Sequence, residues 1–324
     1  MRRLLALAAL ALLLAPPAAA QDKPLTPVRF TLNWLPTPDH AGYYAAKIGG
    51  IYAKYGLDVE IRPGGPQVNV HQLLAAKQTD IIMGTTMRAF NARQEGIPIV
   101  TVASWYQKDA TTFMLHPDNK ATNLAELKAY QVMIPNIAKV NYWPWLKAKF
   151  GFSDDQLKPY DFAFRAWAIN PLAISQGYIT TDKPNMTAAG VPDGRSMLLA
   201  DFGWSQYINT VDVLEEMIAS KPEVIRAFLK ATAEGWQAYL RDPRAVNAEL
   251  TRLNPDLSPE AAAYGYEIIK SYRLLGVSAA DEGKIGTLSA ERLKAFADEM
   301  VKAGALQPSD AYLKSFTLQF MDAL

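Results

Sequence analysis

The chain has 324 residues, 33 Lys and Arg against 32 Asp and Glu, and no cysteine. This balance argues against a nucleic-acid partner, because such binders carry a basic surplus. The missing cysteine excludes disulfides, thiolate catalysis and cysteine metal sites together. Residues 1–20 read as a secretory signal peptide outside the fold: Arg2 and Arg3 open it, residues 4–14 are an apolar run too short to span a bilayer, and Ala18-Ala19-Ala20 offers an A-x-A cleavage site. With no cysteine to lipidate, the exported chain is expected without a lipid anchor, most simply in a Gram-negative periplasm. Beyond the signal, the chain is long enough for two domains.

Residues 28–33 read as the first strand. A crowded loop comes next, with Asn33, Trp34, Pro36, Pro38, Asp39 and His40, stiffened by its prolines, and Tyr43 lies in the first turn of the following helix. Tyr44, Ile48, Ile51 and Tyr55 give that helix a buried stripe; Gly56 stops it, and 57–61 alternates like a strand. Pro63-Gly64-Gly65-Pro66 is a turn. A helix at 68–76, a buried strand at 80–83, a helix at 85–94 with Gly84-Thr85-Thr86 at its start, and a strand at 97–104 ending in Trp105-Tyr106-Gln107-Lys108 come after it. Such alternation predicts parallel sheets with helices on both faces, and ligands held at the carboxyl ends of the strands.

A strand at 111–116 leads away. Then come a short helix at 124–128, a strand at 131–134, a loop at 135–141, and a helix at 142–150 that opens Tyr142-Trp143-Pro144-Trp145. A strand is expected at 159–164, a helix at 171–176, a short strand at 177–179, a polar stretch at 181–189, and a strand at 196–200 followed by Asp201-Phe202-Gly203-Trp204. This block repeats the alternation and predicts a second domain. From Ser220 the chain is helical. Ser220 and Glu223 form an S-x-x-E box around Pro222, and Ile225, Phe228, Leu229, Thr232, Trp236 and Tyr239 make one buried face. Helices near 259–274 and 289–303 are expected to cover the first domain. The chain would then cross twice, near 107–112 and 204–213, with lobe 1 at 21–110 and 207–324 and lobe 2 at 111–206.

No G-x-S-x-G, P-loop, G-x-G-x-x-G or H-E-x-x-H occurs, and His40, His71 and His116 lack metal-ligand spacing. Six of the seven tryptophans, Trp34, Trp105, Trp143, Trp145, Trp167 and Trp204, sit in loops or at element ends. Any one of them can be an edge plug, but Trp34, Trp105, Trp143 and Trp204 follow strands closely and together favour an aromatic-lined cleft. Polar groups share these loops: Gln107, Asn136 and Asp201, besides those in the candidate set below. Carboxylates and amides suit a ligand with N–H donors, such as an aminopyrimidine; a sulfonate or nitrate wants Arg, Lys or bare helix N-termini, for which Arg88 and Arg165 are the basic candidates. His40 beside Asp39 reads either as a ring-orienting pair or as a helix start with Asp39 as N-cap. The candidate ligand-binding set is Asn33, Trp34, Asp39, His40, Tyr43, Thr85, Thr86, Trp105, Tyr106, Asn141, Tyr142, Trp143, Gln176, Tyr178, Asp182 and Trp204, with no catalytic residue, metal or cofactor.

The motif N-W-x-P-x-x-x-H-x-G-x-Y-x-A-K, carried by Asn33, Trp34, Pro36, His40, Gly42, Tyr44, Ala46 and Lys47, resembles the substrate-binding proteins of the nitrate/sulfonate/thiamine-precursor transport group. The resemblance is closest to the thiamine-pyrimidine branch, which includes exported formylaminopyrimidine binders and thiamine pyrimidine synthases. Residues 56–66, 80–84, 142–147 and 177–182 extend it over nearly the whole chain. It implies a type II periplasmic-binding-protein fold, with two α/β lobes joined by two crossovers, C-terminal helices on the first lobe and the ligand between the lobes. It also implies a monomer that closes on a small flat heterocycle, in first place a thiamine pyrimidine precursor, and hands it to an ABC permease and its ATPase. In the family's pyrimidine binders an Asn-Glu pair of the second domain reaches the ligand ring; the matching place here is Thr181-Asp182, which keeps a shorter carboxylate and loses the amide. The synthase branch shares the resemblance at His40, but it carries a cysteine-rich motif, whereas this chain has no cysteine, and a glycine-rich phosphate loop that residues 135–141 do not show. A sulfonate, taurine or nitrate binder and a pyrimidine synthase stand as the alternatives.

Overall fold

The computed structural model describes residues 24–276 and 285–324, so the signal reading of residues 1–20 lies outside the described residues. Strands β1 (Thr26–Thr31), β2 (Leu57–Arg62), β3 (Ile81–Thr85) and β4 (Ile99–Tyr106) alternate with helices α1 (Ala41–Ile48), α2 (Ile51–Lys54), α3 (Val70–Ala75) and α4 (Thr86–Gln94). A second block holds β5 (Thr111–Leu115), β6 (Gln131–Met133), β7 (Leu157–Lys158), β8 (Ala173–Tyr178) and β9 (Arg195–Leu198), with α5 (Trp143–Phe150), α6 (Arg165–Ala168) and α7 (Asp182–Ala188). Then β10 (Ile208–Leu214) precedes α8 (Glu215–Ser220), α9 (Pro222–Arg241), α10 (Arg244–Leu253), α11 (Pro259–Ser271) and α12 (Ala290–Lys302).

The strands make two five-stranded sheets, ordered β2-β1-β3-β10-β4 and β7-β6-β8-β5-β9. Neither is purely parallel, as the alternation had implied: β10 runs antiparallel between β3 and β4, and β5 runs antiparallel between β8 and β9. These are the two strands that enter a sheet directly from the other lobe. No helix carries the chain back to the starting edge before them, so they insert in reverse. The expected return connection at 204–213 is therefore mostly the buried strand β10.

Four local expectations change. Residues 171–176 are not helical, because β8 starts at Ala173; a six-residue stretch has too few turns for its period to decide. The expected strand at 159–164 is a loop after the two-residue β7, and the Asp161 carboxylate there accepts from Arg165 N–H (3.0 Å) and Ala166 N–H (3.2 Å) at the start of α6. The S-x-x-E box does not form: Ser220 ends α8 and donates to the Glu216 carbonyl (2.7 Å), while α9 begins at Pro222 without a side-chain cap. The first helix breaks at Gly49-Gly50, where Gly50 takes φ 67°, so Ile48 leaves the predicted stripe and is 46% exposed, while Tyr44 is buried and Ile51 and Tyr55 are half-buried; Tyr52, outside the predicted stripe, is buried instead.

The long periodic helix behaves as its sequence dictates. Ile225, Phe228, Leu229, Thr232, Trp236 and Tyr239 of α9 are all buried, and they join Phe30, Val59 and Tyr43 over the first sheet. The last long helix reaches further. Phe296 of α12 packs against Phe90 of α4 and against Trp204, and Glu299 accepts from Trp145 Nε1 (2.7 Å) on α5.

Candidate functional site

The loop after β1 is held from several sides. Asn254 at the end of α10 donates to the Pro36 carbonyl (2.9 Å), and Gly64 N–H donates to the Trp34 carbonyl (3.0 Å). Residues 38–40 then turn as a short 3-10 helix that feeds α1. This places Asp39 and His40 inside the protein, both buried.

The Asp39 carboxylate accepts from Tyr106 Oη (2.9 Å), from Thr37 Oγ1 (3.0 Å), and with both oxygens from Thr180 Oγ1 (2.9 and 3.0 Å). Tyr106 ends β4 of the first sheet and Thr180 follows β8 of the second, so this carboxylate joins the two lobes. Burial pushes the Asp39 pKa up, against the pull of those hydrogen bonds. His40 is oriented not by Asp39 but by Thr37, whose backbone N–H donates to Nδ1 (3.0 Å); the proton therefore sits on Nε2, which faces Asn33 Oδ1 at 3.3 Å. Burial holds this ring down to a pKa of about 3, so it is a neutral hydrogen-bonding group.

The tryptophans divide sharply. Trp105, Trp143 and Trp204 are fully enclosed, and each N–H has a protein acceptor: Trp105 and Trp204 donate inside the fold to Tyr43 Oη (2.9 Å) and Asp109 Oδ2 (2.9 Å), and Trp143 donates outward to the exposed Asp154 Oδ1 (2.7 Å). Tyr43 is buried with Trp105. These residues are core and crossover packing here rather than open stacking surfaces, because a ring with a dry core to fill buries more apolar area there than at a wet edge. Trp34 is the half-buried one, and its ring faces Phe162 of the second lobe with centroids 5.3 Å apart.

Asp182 is also committed, accepting from Thr112 Oγ1 (2.6 Å), Ser196 Oγ (2.5 Å) and Tyr178 N–H (2.6 Å). It fixes β5, β9 and the end of β8 to one another rather than presenting a free carboxylate. Thr86 is tied to the Tyr207 backbone (3.0 and 3.2 Å), and Tyr142 donates to Gln176 Oε1 (2.6 Å). Two predicted residues keep enclosed acceptors with no hydrogen-bond partner among the described residues: Thr85 Oγ1 in the first lobe and Asn141 Oδ1 in the second. Tyr178 stays half-buried near Asp39 and Asp109, whose charges help to raise its hydroxyl after burial itself.

The sequence reading missed several residues. Asn209 sits at a bulge in β10 with φ 56°, donates Nδ2 to the Asp39 carbonyl (2.9 Å), and leaves Oδ1 enclosed with no partner among the described residues. A non-glycine residue in the left-handed region beside a bulge is a structural signal with no sequence counterpart. Asp109 stitches the two crossovers, accepting from Thr111 N–H (2.7 Å), Trp204 Nε1 and Gln206 Nε2 (2.6 Å). Arg292 of α12 clamps them from outside, donating to the carbonyls of Gln107 (2.8 Å), Ser205 (2.9 Å) and Gln206 (3.2 Å) while lying over the Tyr207 ring. Among the described residues no group of three or more His, Cys, Asp and Glu is arranged for a metal ion, and no helix is long and apolar enough to cross a membrane.

Residues 37–246 match the family described as NMT1/THI5 like. The chain is 24% identical to the riboflavin-binding protein RibY of Chloroflexus aurantiacus, over 71% of this chain and 67% of that one. It is 28% identical to a formylaminopyrimidine-binding protein of Halalkalibacterium halodurans, over 72% of each. It is 23% identical to the 4-amino-5-hydroxymethyl-2-methylpyrimidine phosphate synthase THI11 of Saccharomyces cerevisiae, over 76% of each. Its fold is similar to the MOPS-bound alkanesulfonate-binding protein SsuA of Xanthomonas axonopodis pv. citri (TM-score 0.66, 14% identity, 91% of this chain and 99% of that one). A Candida albicans protein described as having the generic periplasmic binding protein fold superposes with a TM-score of 0.64 at 17% identity, over 90% of this chain and 96% of that one. The two α/β lobes are those of a periplasmic-binding-protein fold.

Proposed function

Because the chain belongs to the NMT1/THI5-like family, we propose that it is a non-catalytic solute-binding protein that closes two lobes over a small flat heterocycle, in first place a thiamine pyrimidine precursor. The lobes are 21–110 with 207–324, and 111–206. The observation that carries this reading is the Asp39 carboxylate, a first-lobe group hydrogen-bonded across the interface to Thr180. A link of that kind forms when the lobes meet and breaks when they part, as a closure mechanism requires.

The surrounding chemistry supports a neutral, nitrogen-bearing ligand. His40 is uncharged, Trp34 offers a half-exposed ring, and Thr85 Oγ1 and Asn141 Oδ1, one in each lobe, have no partner among the described residues and suit N–H donors. A relative at 28% identity carries the name of a formylaminopyrimidine-binding protein. The chain would be exported by its signal peptide, work as a monomer, and deliver its ligand to an ABC permease and ATPase.

Thermal-shift screening tests the ligand class. A ligand present at 100 times its Kd adds about 2.7 kcal/mol to the native state. Aminopyrimidines are expected to raise Tm, and alkanesulfonates to leave it unchanged. Stabilisation by sulfonates alone overturns the heterocycle reading in favour of sulfonate transport. A lysine-dependent absorbance band on adding pyridoxal phosphate overturns the non-catalytic one.

A further inference from the structure

Phe162 is a large apolar ring that is 49% exposed, and it belongs to none of the buried clusters of its lobe, although its neighbours Tyr160 and Phe164 pack against one of them. Its position is nevertheless fixed. Tyr160 stands edge-on against it, with centroids 4.9 Å apart and planes at 83°, and the intervening Asp161 is anchored by its two hydrogen bonds to the start of α6. One flank of Phe162 is thus held by its own lobe.

From the other lobe comes Trp34, with ring centroids 5.3 Å apart and planes at 34°. Trp34 also lies outside the buried cores. Its backbone is fixed by Gly64, which approaches so closely that a Cβ there would lie 2.2 Å from the Leu32 carbonyl oxygen and 2.7 Å from Trp34 N. Two anchored loops, one per lobe, therefore each present a ring that the interior does not need, and the rings meet at a tilt across the interface. Single exposed apolar residues are ordinary; a matched pair across an interlobe contact is a built surface.

We propose that Trp34 and Phe162 are the two walls of one aromatic clamp that takes the planar ring of the ligand between them, with Phe162 supplying the second-lobe stacking face. This rests on the binding-protein reading above and names how that site selects its ligand. Two carbon contact distances of about 3.5 Å each set the walls about 7 Å apart around a planar ring. The present 5.3 Å separation then needs to widen by roughly 2 Å, and the 34° tilt to flatten, a small motion at two crossovers. At this separation the two rings cover each other and close the clamp. A conjugated ring fills it with stacking on both faces; a tetrahedral sulfonate on a flexible chain gains little from it.

The test compares Phe162→Ala, Phe162→Leu and Phe162→Tyr with the parent chain, using 4-amino-5-hydroxymethyl-2-methylpyrimidine, riboflavin and MOPS as probes in calorimetric titrations. With a planar probe that binds the parent, Phe162→Ala and Phe162→Leu are expected to weaken binding about ten- to a hundred-fold at unchanged Tm, and Phe162→Tyr to restore it. Equal affinity in parent and Phe162→Ala overturns the clamp while leaving the binding-protein reading in place. Binding of MOPS alone, unaffected by Phe162→Ala, overturns the clamp and the heterocycle reading together. If none of the three probes binds the parent, acrylamide quenching of the ligand-free chain decides. The emission lost in Trp34→Phe must become more quenchable in Phe162→Ala, and unaltered quenching overturns the pairing.

Discussion

Asp212 and His71 show how a single pair of side chains sets a pH response. Asp212 lies on β10 in the middle of the first sheet, where Oδ1 accepts from Thr101 Oγ1 (2.7 Å) and Oδ2 is 3.9 Å from His71 Nε2 on α3. Gly84 makes room for it, since a Cβ there would lie 1.9 Å from that oxygen. Burial pushes Asp212 up to about 7; burial, aided by the Arg88 guanidinium, holds His71 down to about 3. An unfolded aspartate titrates near 3.9 and an unfolded histidine near 6.5. Between about pH 4 and 7 native Asp212 binds more protons than the unfolded chain, so its contribution to stability falls as pH rises; native His71 binds fewer between about 3 and 6.5, so its contribution rises. The two slopes oppose each other over nearly the same window. Asp212→Asn should therefore gain stability relative to the parent as pH goes from 4.5 to 7.5, and His71→Gln should lose it, each by on the order of 2 kcal/mol. Urea midpoints at intervals of one pH unit check this, and curves parallel to the parent would sink it. None of this pair was legible: His71 reads as a lone histidine, and Asp212 as one polar residue in an apolar run. The Asp39-His40 adjacency was visible in the chain, but Thr180, Tyr106 and Asn209, which give Asp39 its role, come from three distant stretches.

At the scale of elements, legibility followed length. The twenty-residue α9 shows its buried face through five helical turns, and every residue assigned to that face is buried. The six-residue β8 and the two-residue β7 were misread, because two or three alternations carry no period. Tryptophans at strand ends were read as ligand walls, and most proved to be packing, since sequence places a ring at an end without saying which side of the end is dry. The crossing of α1 and α9 was invisible for a related reason: its two glycines sit in separate helices. A Cβ at Gly235 would lie 2.2 Å from the Gly42 carbonyl oxygen, and one at Gly42 would lie 2.4 Å from the Trp236 ring. Glycine-to-alanine in an exposed helix interior stabilises by about 1 kcal/mol. Gly235→Ala should do the reverse and destabilise by about 1–3 kcal/mol, because backbone must move to admit the methyl. Chemical denaturation gives the sign directly, and a stabilised variant would mean the helices do not touch there.

At the scale of the whole molecule, the restart of strand-helix alternation near residue 111 pointed to two sheets and two crossovers; what no local pattern conveys is the balance between lobes apart and lobes together. That balance has two physical parts. At the crossovers, Asp109 and Arg292 bind the two connecting segments into one unit, so neither bends without the other. At the interface, Thr180 donates to both oxygens of Asp39. Thr180→Val keeps the shape and volume of the side chain, leaves Asp39 its bonds from Tyr106 and Thr37, and removes only the bond that crosses between lobes. A hydrogen bond to a charged group is worth about 1.5–3 kcal/mol, and only the closed state loses it. The ligand-free population should therefore shift toward open, seen as a larger radius of gyration by small-angle scattering. Apparent affinity should fall by the fraction of closed state lost, about ten- to a hundred-fold. Saturating ligand should restore the parent radius, because it supplies the closing free energy that Thr180 no longer does. A variant with the parent radius and weakened binding would place Thr180 in ligand contact instead, and a variant unchanged in both would mean that Asp39 holds the first lobe alone.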